Sequence, residues 1–247
     1  PDVFWTEFVS ADGLYHTREV KKMKDEENPL VGILSKTGAE RPILAQIFSS
    51  KPEMIAYATK LVAELGFNGV DINMGCPDRA IEKQGCGAAM MKNPKLAQEI
   101  IRAAQEASSL PVSVKTRVGY HKESLDEWLT ALLEANPAAI TLHLRTRKEM
   151  SLVPADWELM KKAVEIRNRV NPAVLLIGNG DVQDLEDSRA KAAASGCDGV
   201  MLGRAMFGNP WVFAGRKVGD TPLAEKLAAI IELAEDFEKL TPRKNFS

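Results

Sequence analysis

Gly66-Phe-Asn-Gly-Val-Asp-Ile-Asn73 can be read beside Asn136-Pro-Ala-Ala-Ile-Thr-Leu-His143 and Gly196-Cys-Asp-Gly-Val-Met-Leu-Gly203. All three follow one plan. A helical pattern ends at a turn-forming residue, a short buried strand follows, and a polar loop comes next. Gly66 and Gly196 stand where a helix is expected to end on glycine, which tolerates the left-handed conformation. Working outward, the periodicity predicts helices at 51–65, 95–108, 124–135, 155–169, 184–195 and 223–239. Strands are expected at 4–9, 42–47, 69–73, 111–117, 139–144, 174–178 and 198–202. Strands that alternate with helices and lack polar alternation imply a parallel sheet covered on its faces. For 247 residues the leading fold class is α/β, a (β/α)8 TIM barrel, with a doubly wound sheet as the alternative. Seven strands are counted where a barrel needs eight, so the first strand is expected to be missing from this chain. The C-terminal end is expected to be truncated as well. Residues 1–216 are read as the barrel and 217–247 as the start of a helical domain.

Hydrophobic residues make up 45% and charged residues 27%, an ordinary globular balance that argues against disorder. No apolar run reaches the ~20 residues of a membrane span, and no signal pattern opens the chain. Three cysteines, widely spaced, are read as reduced thiols in a cytoplasmic protein. Neither they nor the three scattered histidines have the spacing of a metal site. The net charge of −2 argues mildly against a nucleic-acid binder, so any such contact must come from local placement of charge.

Chemistry concentrates in residues 70–90. An apolar strand ends on Asn73, turns through Gly75, presents Cys76 and is stiffened by Pro77; a second glycine-bounded turn follows at Gly85 to Gly87. A thiol just past a buried strand suits proton or covalent chemistry. Strand side chains alternate with period two. That rule puts Asp71 with Asn73, Lys115 with Arg117, and His143 with Arg145, each pair on one face, and Gln46 near the end of its own strand. All lie toward the C-terminal rim, where barrels of this kind bind ligands. Two later strand ends carry Gly178-Asn-Gly-Asp181 and Gly203-Arg204. Such turns let backbone N–H groups approach an anion, and Arg204 adds a bidentate contact, so a phosphorylated ligand is expected. Basic residues near the rim are Arg79, Lys83, Arg117, Lys122, Arg145, Arg147 and Lys148, with a further run from Arg18 to Lys24. A pairing of Lys115 with Asp71 inside the barrel is the plain structural alternative to a ligand contact and is compatible with it; Trp157 is expected to be a packing residue, and helix 223–239 to dock on the barrel.

The motifs at 70–90, 111–119, 143–146, 178–181 and 201–204 resemble, in order and spacing, those of the dihydrouridine synthases, FMN-dependent enzymes of tRNA. The resemblance covers roughly residues 5–215. It implies reduction of uridine to 5,6-dihydrouridine in tRNA, with hydride passing from reduced FMN to C6 and a proton from Cys76 to C5. It further implies Lys115 at the flavin N1/O2 edge, His143 at the ring or phosphate side, and Gln46 at the flavin pyrimidine edge. Asn73 would hydrogen-bond the uracil. Arg117 and Arg145 would meet substrate or form a structural ion pair. Asn179, Gly180, Asp181, Gly203 and Arg204 would cradle the phosphate. NADPH is the implied reductant, tRNA the partner, and residues 217–247 the first part of a tRNA-binding domain; a monomer is expected. The residues alone leave three alternatives open: an FMN barrel dehydrogenase acting on a free pyrimidine (dihydroorotate-type), a non-catalytic flavin- or RNA-binding module, and a phosphate-binding aldolase or isomerase with Lys115 as its reactive amine.

Overall fold

The computed structural model describes residues 1–36, 38 and 40–240. Its frame is one all-parallel, curled sheet built from β1 (Phe4–Trp5), β2 (Val9–Ser10), β3 (Ile43–Phe48), β4 (Gly69–Met74), β5 (Val112–Arg117), β6 (Ala139–His143), β7 (Leu175–Asn179) and β8 (Gly199–Met201). The order is β1-β3-β4-β5-β6-β7-β8, with β2 also on β3. Pairing therefore runs strand to next strand from β3 to β8, as in a TIM-like half-barrel.

The expected strand 4–9 is two short pieces, and the reason is local. Gln46 N–H takes the Thr6 hydroxyl as its acceptor at 3.0 Å, where a regular ladder would offer a carbonyl. The side chain interrupts the strand, and pairing resumes at Val9 opposite Ile47.

Long helices cover the outer face: α3 (Pro52–Glu64), α5 (Pro94–Ala107), α6 (Leu125–Glu134), α7 (Glu158–Val170) and α8 (Leu185–Ser195). Their starts follow from caps. Asn93 accepts from Leu96 N–H ahead of Pro94, and Asp184 accepts from Asp187 N–H. Their apolar stripes, such as Ile55, Ile100, Leu129 and Ile166, pack against the outward strand residues Val70, Ile72, Val114 and Ile140. Trp128 is buried there and donates through Nε1 to the Thr116 hydroxyl at 3.1 Å, which donates to Met74 O at 3.0 Å.

Residues 11–33 form short helical pieces that periodicity did not reveal: α1 (Ala11–Tyr15) capped by Ser10, a π-helical turn over His16–Val20, and α2 (Pro29–Ile33) capped by Asn28. Each is too short for an apolar stripe to repeat. The terminal helix α9 (Leu223–Leu240) departs from expectation: Leu223, Leu227, Ile230, Ile231, Leu233 and Phe237 are exposed, so its apolar residues are not docked on the barrel. The rest of the expected helical segment, 241–247, lies outside the described residues. No helix among the described residues is long and apolar enough to cross a membrane.

Candidate active site

Parallel register stacks the inward residues in layers. Gln46, Asp71, Ser113, Ala139 and Leu175 lie side by side. One step toward the C-terminal rim lie Asn73, Lys115, Thr141, Ile177 and Gly199, and above them Arg117, His143, Asn179 and Met201. The side chains named from the sequence are therefore brought together by the pleat alone.

The turn after β4 is set by Asn73. Its Oδ1 accepts from Gly75 N–H at 3.1 Å and Cys76 N–H at 2.9 Å. That fixes the amide, so Asn73 Nδ2 donates to Gln46 Oε1 at 2.9 Å, and Gln46 Nε2 donates to Asp71 at 2.6 Å. Asn73 Oδ1 thus takes two donors and Gln46 Oε1 one, and each amide nitrogen keeps one N–H beyond its bond in the network. Gly75 permits the turn because a Cβ there would sit 3.1 Å from the Thr116 backbone. Cys76, half-exposed and free, is held from the far side by Ala88 N–H on its carbonyl at 2.9 Å. Behind the turn, α4 (Arg79–Glu82) is capped by Asp78. Glu82 is clasped by Arg147, whose Nε lies 2.9 Å from Oε2 and whose guanidinium sits over the Tyr120 ring. The other two thiols, Cys86 and Cys197, are buried.

Lys115 lines two adjoining cavities, and so does His143. One, of about 200 Å³, holds Phe8, Gln46, Asn73, Cys76 and Arg117; the other, of about 250 Å³, holds Asn179, Gly180, Asp181, Gly203 and Arg204. The alternative Lys115–Asp71 ion pair is not among those of the described residues. Asp71 is instead held by Gln46 and by the Ser113 hydroxyl at 2.5 Å. Lys115 has no hydrogen-bond acceptor or ion pair among the described residues, and burial pushes its pKa down, with the Asp71 charge opposing and Arg117 adding to the shift. Desolvation pushes the Asp71 carboxyl up.

His143 is neutral. Burial, then the charges of Arg117, Lys115 and Arg145, hold its pKa down to about 3. Arg145 Nη1 stands 3.0 Å from His143 Nε2. A guanidinium only donates, so Nε2 carries the lone pair and Nδ1 carries the proton. Arg145 itself is buried. It also donates to Val153 O at 2.6 Å and pairs with Asp181, which in turn takes Arg204 at 2.8 Å. Arg145 and Asp71, both grouped with the rim residues by strand alternation, line neither cavity. Arg117 reaches the rim, but its donors fall on the carbonyls of Gly75 (2.8 Å), Thr146 and Met150. Burial and the Arg145 charge pull it down to about 10, still ionised at neutral pH.

The glycine turns are close approaches. A Cβ on Gly178 would lie 2.6 Å from the Trp157 ring, and one on Gly180 (φ +129°) 2.7 Å from Ala155. Trp157 Nε1 donates to Gly180 O at 2.9 Å. Expected only to pack, Trp157 therefore also holds this turn. Gly203 has open space around it. Phe8, Ser151 and Met201 also line the site; nothing in the sequence singled them out.

A curled parallel sheet with a thiol, an ammonium and a glycine-lined hollow at its C-terminal rim defines a TIM-like α/β enzyme. Solved structures agree on the fold: DHODH from Eimeria tenella in complex with ferulenol (TM-score 0.52, 13% identity, 78% of this chain and 59% of that one) and an arginine-to-lysine mutant of flavocytochrome b2 (TM-score 0.52, 18% identity, 93% and 55%). The family model for dihydrouridine synthase (Dus) matches residues 2–242. The probable tRNA-dihydrouridine synthase 2 of Bacillus subtilis (strain 168) is 39% identical over 97% of this chain and 72% of its own length. The probable tRNA-dihydrouridine synthase of Staphylococcus aureus (strain COL) is 38% identical over 97% and 71%. The chain belongs to the dihydrouridine synthase family, flavoprotein oxidoreductases that reduce uridine to dihydrouridine in tRNA.

Proposed function

We propose that this chain reduces uridine to 5,6-dihydrouridine in tRNA, with FMN seated across the two cavities, NADPH as reductant and Cys76 as the proton donor. The observation that carries the proposal is Lys115: an amine with no protein acceptor among the described residues, shared by both cavities. A half-buried amine without a partner is costly to desolvate, and an electron-rich ring would supply the missing acceptor.

The surrounding donors fit the same ligand. Asn73 and Gln46 each keep an N–H beyond the amide network, and His143 has Nδ1–H. A rim of donors around a cation suits carbonyl oxygens and an anionic ring, and its stabilisation is preorganised. Asn179, Gly180, Asp181, Gly203 and Arg204 would take the phosphate end, with open space at Gly203 for a close approach. When bound, FMN supplies the hydride. The chain's own work is to hold the uracil against Asn73 and to deliver a proton to C5 from Cys76 Sγ as C6 gains hydrogen. A thiol placed at the rim can serve as the proton donor. Arg117 and Arg145 are assigned to positioning. The first braces the Gly75 turn, and the second fixes the His143 tautomer and Asp181.

A buried uridine must leave its stack to reach this rim. Arg79, Lys83, Lys122 and Lys148 are exposed on the loops after β4, β5 and β6, outside the ion pairs of the described residues. They are the cations available for phosphates, since Arg117, Arg145 and Arg147 are engaged internally. Reconstitution with FMN, anaerobic bleaching by NADPH and reoxidation by unmodified tRNA test the reading. Cys76→Ala should bind FMN and bleach normally, while dihydrouridine formation falls about 10²–10⁴-fold, the usual contribution of a general acid. Wild-type turnover in that variant would remove Cys76 from the role, and a free pyrimidine serving as well as tRNA would overturn the substrate.

A further inference from the structure

Asp71 is 0% exposed, deep in the layer below Lys115. Burying a carboxyl is unfavourable, and well-packed apolar side chains often serve a fold as well or better. The packing of the barrel therefore does not explain a carboxyl at this place.

Its hydrogen bonds do. From the Cys76 backbone inward they form a single directed chain. Cys76 N–H and Gly75 N–H donate to Asn73 Oδ1, Asn73 Nδ2 donates to Gln46 Oε1, and Gln46 Nε2 donates to Asp71 Oδ2. The backbone end fixes the direction, because an N–H cannot accept. Every amide after it has one orientation, and the chain arrives at position 71 as a donor. Only an acceptor can close it there. Leu, Val or Ala would leave the Gln46 N–H unmatched in a buried place, and the chain could then relax by turning both amides.

We propose that Asp71 is a positioning residue for Cys76, acting through Gln46 and Asn73 as the terminal acceptor that holds the Gly75–Cys76 turn at the rim. The proposal rests on the assignment of Cys76 as proton donor, but it can be tested apart from it. What position 71 must supply is an oxygen. An asparagine there can turn its carbonyl to Gln46 and its amide to the Ser113 hydroxyl, which has Val70 O within 3.5 Å as a further acceptor for its own proton.

The test uses the whole chain and reads the thiol directly. Iodoacetamide labelling of Cys76 is followed by peptide mass spectrometry, with the buried Cys86 and Cys197 as internal references. Asp71→Ala is expected to change the Cys76 labelling rate at least fivefold and to lower kcat at least tenfold, with the KM for tRNA within about twofold. Asp71→Asn is expected to restore both toward the parent. Unaltered Cys76 labelling in Asp71→Ala would overturn the proposal, and so would an Asp71→Asn variant as impaired as Asp71→Ala, since charge rather than the acceptor would then be at work. If Asp71→Ala does not fold, Gln46→Met cuts the same chain at its middle. It should shift Cys76 labelling likewise, and unchanged labelling there would equally overturn the proposal. A labelling response in a chain whose parent never reduces uridine would sink the proposed activity and leave the positioning role standing.

Discussion

Gly87→Ala is the sharpest perturbation the site offers. Gly87 opens the 3-10 turn Gly87–Lys92 with φ +59°, a conformation that costs an L-residue about 1 kcal/mol. A Cβ there would lie 2.6 Å from Cys76 O, 3.0 Å from Ile81 Cγ2 and 3.3 Å from Cys76 Cβ. The first contact is with backbone, so no rotamer change relieves it. The same carbonyl accepts Ala88 N–H at 2.9 Å, so moving the turn also weakens that bond. Overpacking of this kind costs about 1–3 kcal/mol, giving a total of about 2–4 kcal/mol. For a chain of this size that is a fall in Tm of about 4–16 °C. Gly32→Ala is the control: it sits in α2 with nothing within 4 Å of the added methyl, and should raise stability by about 0.5–1 kcal/mol. Thermal unfolding followed by circular dichroism reads the stability, and Cys76 alkylation reads the turn. A Gly87→Ala protein that melts within a degree of the parent and labels at the same rate would refute the argument that this glycine seats the thiol.

Acid should weaken the fold partly through His143. Unfolded histidine titrates near 6.5, while burial and three nearby cations hold the folded group at about 3. Stability present above pH 6.5 is therefore lost as pH falls toward 3, by about 3 kcal/mol at pH 4. His143→Gln should flatten that part of a urea-unfolding pH series; equal slopes in both proteins would refute it. Arg147→Met leaves the Glu82 carboxylate, 10% exposed, without its partner. It should cost about 1–3 kcal/mol and loosen the loop behind Cys76, seen as a lower Tm together with altered labelling; a loss of Tm without altered labelling would confine the clasp to stability. Binding of tRNA should weaken steeply with salt, and Lys122→Glu with Lys148→Glu should reduce the log–log slope by about 2. A flat salt response would remove these side chains from the interface.

The barrel was legible because its signal is repeated. Each of Gly66–Asn73, Asn136–His143 and Gly196–Gly203 carries a helix end and a buried strand together, so one reading supports the next. Where the signal is a single local event it was lost. Thr6 splits the first strand by offering a hydroxyl in place of a ladder carbonyl, and no pattern in residues 4–9 announces that choice. The helical pieces of 11–33 are set by the caps Ser10 and Asn28 and by packing, in segments too short for periodicity to show.

The site divides along the same line. Which residues meet at the rim follows from strand alternation, a geometric rule that needs no partner; hence Asn73, Lys115, Arg117 and His143 were in place before any coordinates. What each side chain does there depends on the nearest acceptor, and that acceptor comes from another loop. Arg147 belongs to the basic rim by sequence but meets Glu82 from 65 positions away. Arg145 turns inward to His143 and Asp181. Asp71 was one partner open to Lys115 by sequence, yet it closes a chain of amides instead, and the lysine is left lining the cavity. That exchange of partners matters for chemistry. A Lys115 neutralised by Asp71 would have little charge to offer a ligand. With Asp71 occupied by Gln46 and Ser113, the amine is left free for whatever enters, and the carboxyl's influence reaches the Cys76 backbone through three hydrogen bonds rather than reaching the lysine through one.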